Sequence, residues 1–157
     1  MRPRPYKELI ARIDAACRGM DRAAAMQVFV DIAWDALQPT GVSWLGFYFG
    51  GAEEMTLGPR RDKPACTPIG LHGVCGRAYT SRRPQVVADV ATLGANYVAC
   101  DPRDRSEVVI PCIDPDGVCW GVLDLDSHEA GSFGEADVRG LTGALIAAGL
   151  TSESNEA

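Results

Sequence analysis

Apolar residues recur at helical spacing near both ends of the chain and in alternating or continuous runs between them. Residues 6–17 read as a short amphipathic helix with Leu9, Ile13 and Ala16 on one face. A second helix spans 21–37, opened by Asp21 as N-cap, with Met26, Phe29, Val30, Ala33 and Leu37 at helical spacing. Pro39-Thr40-Gly41 ends it. Residues 42–49 (VSWLGFYF) read as a strand, with Val42, Trp44, Gly46 and Tyr48 on one face and Leu45, Phe47 and Phe49 on the other. Short strands are expected at 55–57, 65–69 and 85–88, a helix at 74–81, and a loop over 92–105. Residues 107–113 and 118–125 form two apolar strands around Asp114-Pro115-Asp116-Gly117, good turn chemistry for a hairpin. A last helix covers 135–150, with Val138, Leu141, Leu145 and Ala148 inward. Terminal helices around antiparallel strands predict an α+β fold, one domain over 1–150 with a polar tail at 151–157.

Composition narrows the class. The chain has 157 residues, 46% of them hydrophobic and 23% charged, which suits one globular core and excludes wholesale disorder. A net charge of −6 argues against a nucleic-acid partner, which needs a basic face. The basic N-terminus, Met1-Arg2-Pro3-Arg4-Pro5, has no apolar run behind it, so no signal peptide is read. No window supplies the roughly 20 apolar residues of a membrane span. A cytoplasmic location is the expectation, and the six cysteines are then thiols available for redox, metal or packing roles.

Reactive groups gather in three places: Cys66 and Cys75, the run from Cys100 to Glu107, and Asp124 with Asp126. The two aspartates project from one strand face, and spacing alone favours a strand that has left the core there, with both facing water. Zinc is disfavoured. No two cysteines are separated by two to four residues, and neither His72 nor His128 completes a site, so no metal is expected. A reactive thiol fits better. Cys75 stands at a helix start behind Gly73, whose free N–H groups favour a thiolate, and it ranks first by electrostatics. Cys100 has Arg103 and Arg105 nearby but also Asp101 and Asp104. Cys17, Cys112 and Cys119 lie in helix and strand patterns and are assigned to packing.

Gly73-Val74-Cys75-Gly76, the segment from Cys100-Asp101 to Ser106-Glu107-Val108-Val109-Ile110-Pro111, and Gly121-Val122-Leu123-Asp124-Leu125-Asp126-Ser127 together resemble the free methionine-(R)-sulfoxide reductases, a stand-alone branch of the GAF-domain fold. The similarity runs from about Trp44 to Leu141, and His72 departs from the usual residue at its position. The resemblance implies that Cys100 attacks the sulfoxide sulfur, Cys66 resolves the resulting sulfenic acid, and Cys75 is an auxiliary thiol. It implies that Glu107, Asp124 and Asp126 hold the sulfoxide oxygen and the substrate's amino group. Trp44 and Tyr48 would form the aromatic wall around the methyl. It further implies thioredoxin as reductant, no cofactor, and a homodimer. The other readings are a GAF module that senses a small ligand or redox state without catalysis, and a zinc-stabilised domain. A sensing module is expected to carry an output domain, for which the 157 residues leave no room.

Overall fold

Branched and aromatic residues put β1 (Val42–Phe49) at the centre of a six-stranded sheet in the computed structural model, which describes residues 3–96 and 101–152. The other strands are β2 (Glu54–Arg61), β3 (Ile69–Gly70), β4 (Gln85–Val87), β5 (Ser106–Ile113) and β6 (Cys119–Ser127). Their order is β3-β2-β1-β6-β5-β4, and every neighbouring pair is antiparallel. Among the described residues, four α-helices complete the fold: α1 (Tyr6–Ala16), α2 (Arg22–Leu37), α3 (Val74–Ser81) and α4 (Glu135–Ala147). The expected α+β architecture is the observed one.

Strand alternation divides the core. Leu45, Phe47, Val108, Ile110, Leu123 and Leu125 face α1, α2 and α4. Phe29 of α2 meets Phe47 edge-on, with ring centroids 5.5 Å apart. Burying each such ring contributes about 1.5–3 kcal/mol. The opposite face carries Trp44, Tyr48, Val109 and Val122, which pack with Met55, Ile69, Val74 and Ala78. This second, smaller core leaves room for a cavity.

Most expected elements occur within one or two residues of their boundaries. The Asp21 side chain caps α2 by accepting from the Ala24 N–H at 2.9 Å. The last helix stops at Ala147, short of 150, because Gly149 takes a left-handed φ of 73°. The Leu150 N–H then reaches back to the Leu145 carbonyl at 2.9 Å, closing the helix end.

Two expectations fail for backbone reasons. Only Ile69–Gly70 forms a strand in 65–69. Pro64 and Pro68 lack the N–H a ladder needs, and the Thr67 hydroxyl instead accepts from the Leu57 N–H at 3.0 Å. Part of the expected loop over 92–105 is helical, in 3₁₀ turns over Val90–Asn96.

Gly46 is the one position on β1 where a side chain has no room. A Cβ there would lie 2.6 Å from the Trp44 ring and 2.6 Å from the Arg60 Cβ. We therefore expect Gly46→Ala to cost about 1–3 kcal/mol by overpacking. Thermal melting checks this, at ~2–4 °C of Tm for each kcal/mol in a chain of this size. An unchanged Tm contradicts the close approach.

Candidate functional site

Antiparallel register sets three candidate side chains in one row. Trp44 on β1 lies opposite Asp126 on β6, and Asp126 lies opposite Glu107 on β5. The next row on that face is Gly46, Asp124 and Val109, and the third holds Tyr48 and Val122. The expectation that both aspartates face water is overturned for Asp124, while Asp126 is half-buried. Strand β6 continues to Ser127 between β1 and β5, so Asp124 is only 5% exposed and Glu107 7%. Cys75, on the first turn of α3, packs over the same face. Together with Trp44, Tyr48, Glu107, Asp124 and Asp126 it lines a cavity of about 250 Å³. That size suits a ligand of amino-acid dimensions.

Crowded carboxyls control the protons here. Burial, then the charge on Asp124, pushes Glu107 well above the ordinary carboxyl range. Burial followed by Asp124 does the same to Asp126. Asp124 is raised by burial too, but hydrogen bonds from Glu107 and Cys75 offset part of that. The Glu107–Asp124 hydrogen bond raises Glu107 and lowers Asp124, so of these two it is Glu107 that holds a proton more readily. The Asp124 Oδ1 atom is buried with no hydrogen-bond partner among the described residues. A buried acceptor left open in a cavity calls for a donor from a ligand.

Cys75 differs from its electrostatic expectation. Burial first, then Asp124, Glu107 and Asp126, push its thiol well above the usual range. The N-terminus of a two-turn helix does not outweigh three carboxyls in a dry site. Cys75 is a neutral thiol donating to Asp124.

The rim is tied down by the two aromatic residues. Trp44 Nε1–H donates to the Lys63 carbonyl at 3.0 Å, and Tyr48 O–H donates to the Cys66 carbonyl at 2.9 Å. Cys66 is exposed and disulfide-bonded, whereas Cys17, Cys75, Cys112 and Cys119 are free thiols. Cys100 lies outside the described residues. Across the mouth, Lys63 Nζ donates to Asp101, which also accepts from Arg103 Nε at 3.0 Å. Arg103 first, then Lys63, holds the Asp101 carboxyl far below its ordinary range. Asp104, buried beside it, is pushed up to about 7 by burial and by Asp101 and Asp124.

Removing the Tyr48 hydroxyl frees the backbone that carries Cys66. A net hydrogen bond contributes about 0.5–1.5 kcal/mol, or about a two- to twelvefold rate effect. In Tyr48→Phe we expect dithiothreitol to reduce the Cys66 disulfide faster by that factor, followed by thiol titration. Reduction at the wild-type rate removes the anchoring role.

Residues 19–149 match the model of the GAF domain. The chain belongs to the GAF domain family. It is 38% identical over 104 residues to the free methionine-R-sulfoxide reductase of Escherichia coli (strain K12), a match covering 65% of this chain and 61% of that protein. It spans 61–63% of the length of the first four curated relatives. The solved structure of fRMsr of Staphylococcus aureus in its reduced form superposes with a TM-score of 0.85 at 32% identity, covering 94% of both chains. The free methionine-R-sulfoxide reductase of Neisseria meningitidis, in complex with its substrate, superposes at 0.81 with 32% identity, covering 91% of this chain and 86% of that one. The family resemblance read from the sequence therefore holds.

Of the sequence-derived candidates, this GAF domain gathers Trp44, Tyr48, Cys75, Glu107, Asp124 and Asp126 around one cavity, with Cys66 at its rim. Lys63, Asp101, Arg103 and Asp104 also line it, and sequence reasoning did not place them there. The acidic run behind Cys100 was visible as a signal. Its convergence with Lys63, 38 residues away from Asp101, was not.

Proposed function

We propose that the protein reduces free L-methionine-(R)-sulfoxide to methionine by thiol chemistry. The observation that carries this reading is the buried Glu107 beside Asp124 and Asp126, its carboxyl pushed upward by burial and by Asp124, in one cavity with Trp44 and Tyr48. A sulfoxide sulfur becomes a good electrophile when its oxygen is protonated or strongly hydrogen-bonded, and a carboxyl kept neutral by its neighbours supplies that proton. The remaining negative charge on the trio suits the ammonium of a free amino acid. The aromatic wall suits the methyl thioether end.

The Cys100 thiolate attacks the sulfur of the protonated sulfoxide, forming an S–S bond in a hydroxysulfurane. Migration of the hydroxyl to the Cys100 sulfur breaks the methionine S–O bond and that S–S bond together, releasing methionine and leaving a sulfenic acid. The Cys66 thiol attacks this sulfenic sulfur, expels water and forms a disulfide. A dithiol reductant, thioredoxin by the family's habit, returns both thiols by exchange and is itself oxidised. An oxidised, exposed Cys66 and a buried, neutral Cys75 support Cys66 as the resolving thiol, with Cys75 auxiliary. Assembly as a homodimer and a cytoplasmic location belong to the same reading, and sedimentation tests the first.

The test is NADPH consumption by the purified protein with thioredoxin and thioredoxin reductase, run with both sulfoxide epimers, free and peptide-bound. Turnover of the free R epimer alone is the expected result. A fully reduced protein that binds free methionine-R-sulfoxide without releasing methionine refutes catalysis and leaves a sensing module.

A further inference from the structure

The strongest unassigned cluster stands at the cavity mouth. Asp101, Asp104 and His128 each present one ligand atom, and the three atoms lie within 4.8 Å of one another. His128 Nε2 is 3.3 Å from Asp101 Oδ2 and 3.9 Å from Asp104 Oδ1. Ligands held about 2.0–2.2 Å from a small divalent ion sit roughly 3–3.5 Å from each other, so the trio needs little adjustment to close on one.

A second observation points to a ligand. The Asp104 side chain is 7% exposed, and its Oδ1, the atom facing His128, is buried without a hydrogen-bond partner among the described residues. Such an oxygen is costly unless something positive reaches it. The backbone holds the arrangement in place. The Asp104 N–H donates to the Asp101 carbonyl at 3.1 Å, and the Arg105 N–H donates to the Ser127 carbonyl, next to His128, at 2.8 Å. Charge favours a cation as well: beside the proton-holding Glu107, the cavity lining carries Asp101, Asp104, Asp124 and Asp126 against Lys63 and Arg103.

We propose that Asp101, Asp104 and His128 form a binding site for a divalent ion of the zinc class. Two carboxylate oxygens and an imidazole nitrogen suit Zn²⁺, Co²⁺ or Mn²⁺ and leave room for water or a substrate carboxylate as a further ligand. Lys63 is the built-in competitor, since its ammonium already contacts Asp101 Oδ2, the oxygen nearest His128. Asp101 and Asp104 line the cavity, so an ion held there narrows its mouth. Spacing reasoning missed it because that reasoning sought paired cysteines, whereas these ligands come from a loop and a strand end.

The test is calorimetric titration of Zn²⁺ into the full-length protein with its disulfide intact, with Co²⁺ absorption as a second probe. One ion per chain is expected, with no intense near-ultraviolet thiolate band. Asp104→Asn and His128→Ala should each weaken binding by about tenfold or more. Lys63→Met should tighten it several-fold, and Cys75→Ser should retain it. His128 is 38% exposed, so its alanine variant folds, and its melting curve verifies that. The proposal is overturned by a Kd weaker than about 1 mM. It is equally overturned by affinity that survives both ligand substitutions, or by a thiolate band lost in Cys75→Ser.

Discussion

On the proposed mechanism, replacing Glu107 with glutamine is expected to lower kcat for free methionine-(R)-sulfoxide by about 10²–10⁴-fold, the usual worth of a general acid. The amide keeps the shape and a hydrogen-bond donor but has no proton to give. The pH profile separates this from simple damage. Burial and Asp124 raise the Glu107 pKa, so wild-type activity should fall as pH rises through it, and the residual activity of the variant should lack that limb. Stability also falls as pH rises. A carboxyl with a raised folded-state pKa binds more protons folded than unfolded, so the native state loses stability as pH climbs from the unfolded pKa toward the folded one. Above that window the cost is fully present. Glu107→Gln removes it, and Tm should rise at neutral pH by ~2–4 °C for each kcal/mol relieved. A variant that keeps wild-type kcat excludes Glu107 as the acid.

Replacing Cys100 with serine abolishes methionine release, a loss of at least about 10³-fold, because an alcohol is far less nucleophilic than a thiolate at neutral pH. The partner experiment is sharper. Cys66→Ser releases one methionine per chain in a rapid burst and then stalls with thioredoxin, since no resolving thiol stands in place. Rapid-quench counting of methionine against enzyme reads the difference. Continued cycling of Cys66→Ser at the wild-type rate transfers the resolving role to Cys75. Burial and three carboxyls disfavour that outcome, because they keep the Cys75 thiol neutral.

Much of the arrangement was legible in advance. Hydrophobic periodicity located α1, α2, α4 and β1, the glycines before it marked α3, and two apolar runs around a turn marked the β5–β6 hairpin. Where backbone chemistry overrides pattern, reading failed. Residues 65–69 are apolar enough for a strand, yet two prolines and the Thr67 hydroxyl replace the ladder.

Asp124 and Asp126 mark the boundary most clearly. By itself the sequence determined that two carboxylates share one strand face, that Trp44 and Tyr48 share another, and that six cysteines stand at their given spacings. It also carried the family resemblance, because short glycine-, cysteine- and acid-bearing segments must keep their residues to keep their chemistry. Only the tertiary structure decided that these faces meet. Register places Trp44, Asp126 and Glu107 in one row, and flanking by β1 and β5 keeps Asp124 dry. The same packing raised the Cys75 thiol and brought Lys63 against Asp101. The physical reason is range. Periodicity and spacing encode contacts a few residues apart, whereas desolvation and charge at a site are sums over neighbours that folding brings together from anywhere in the chain.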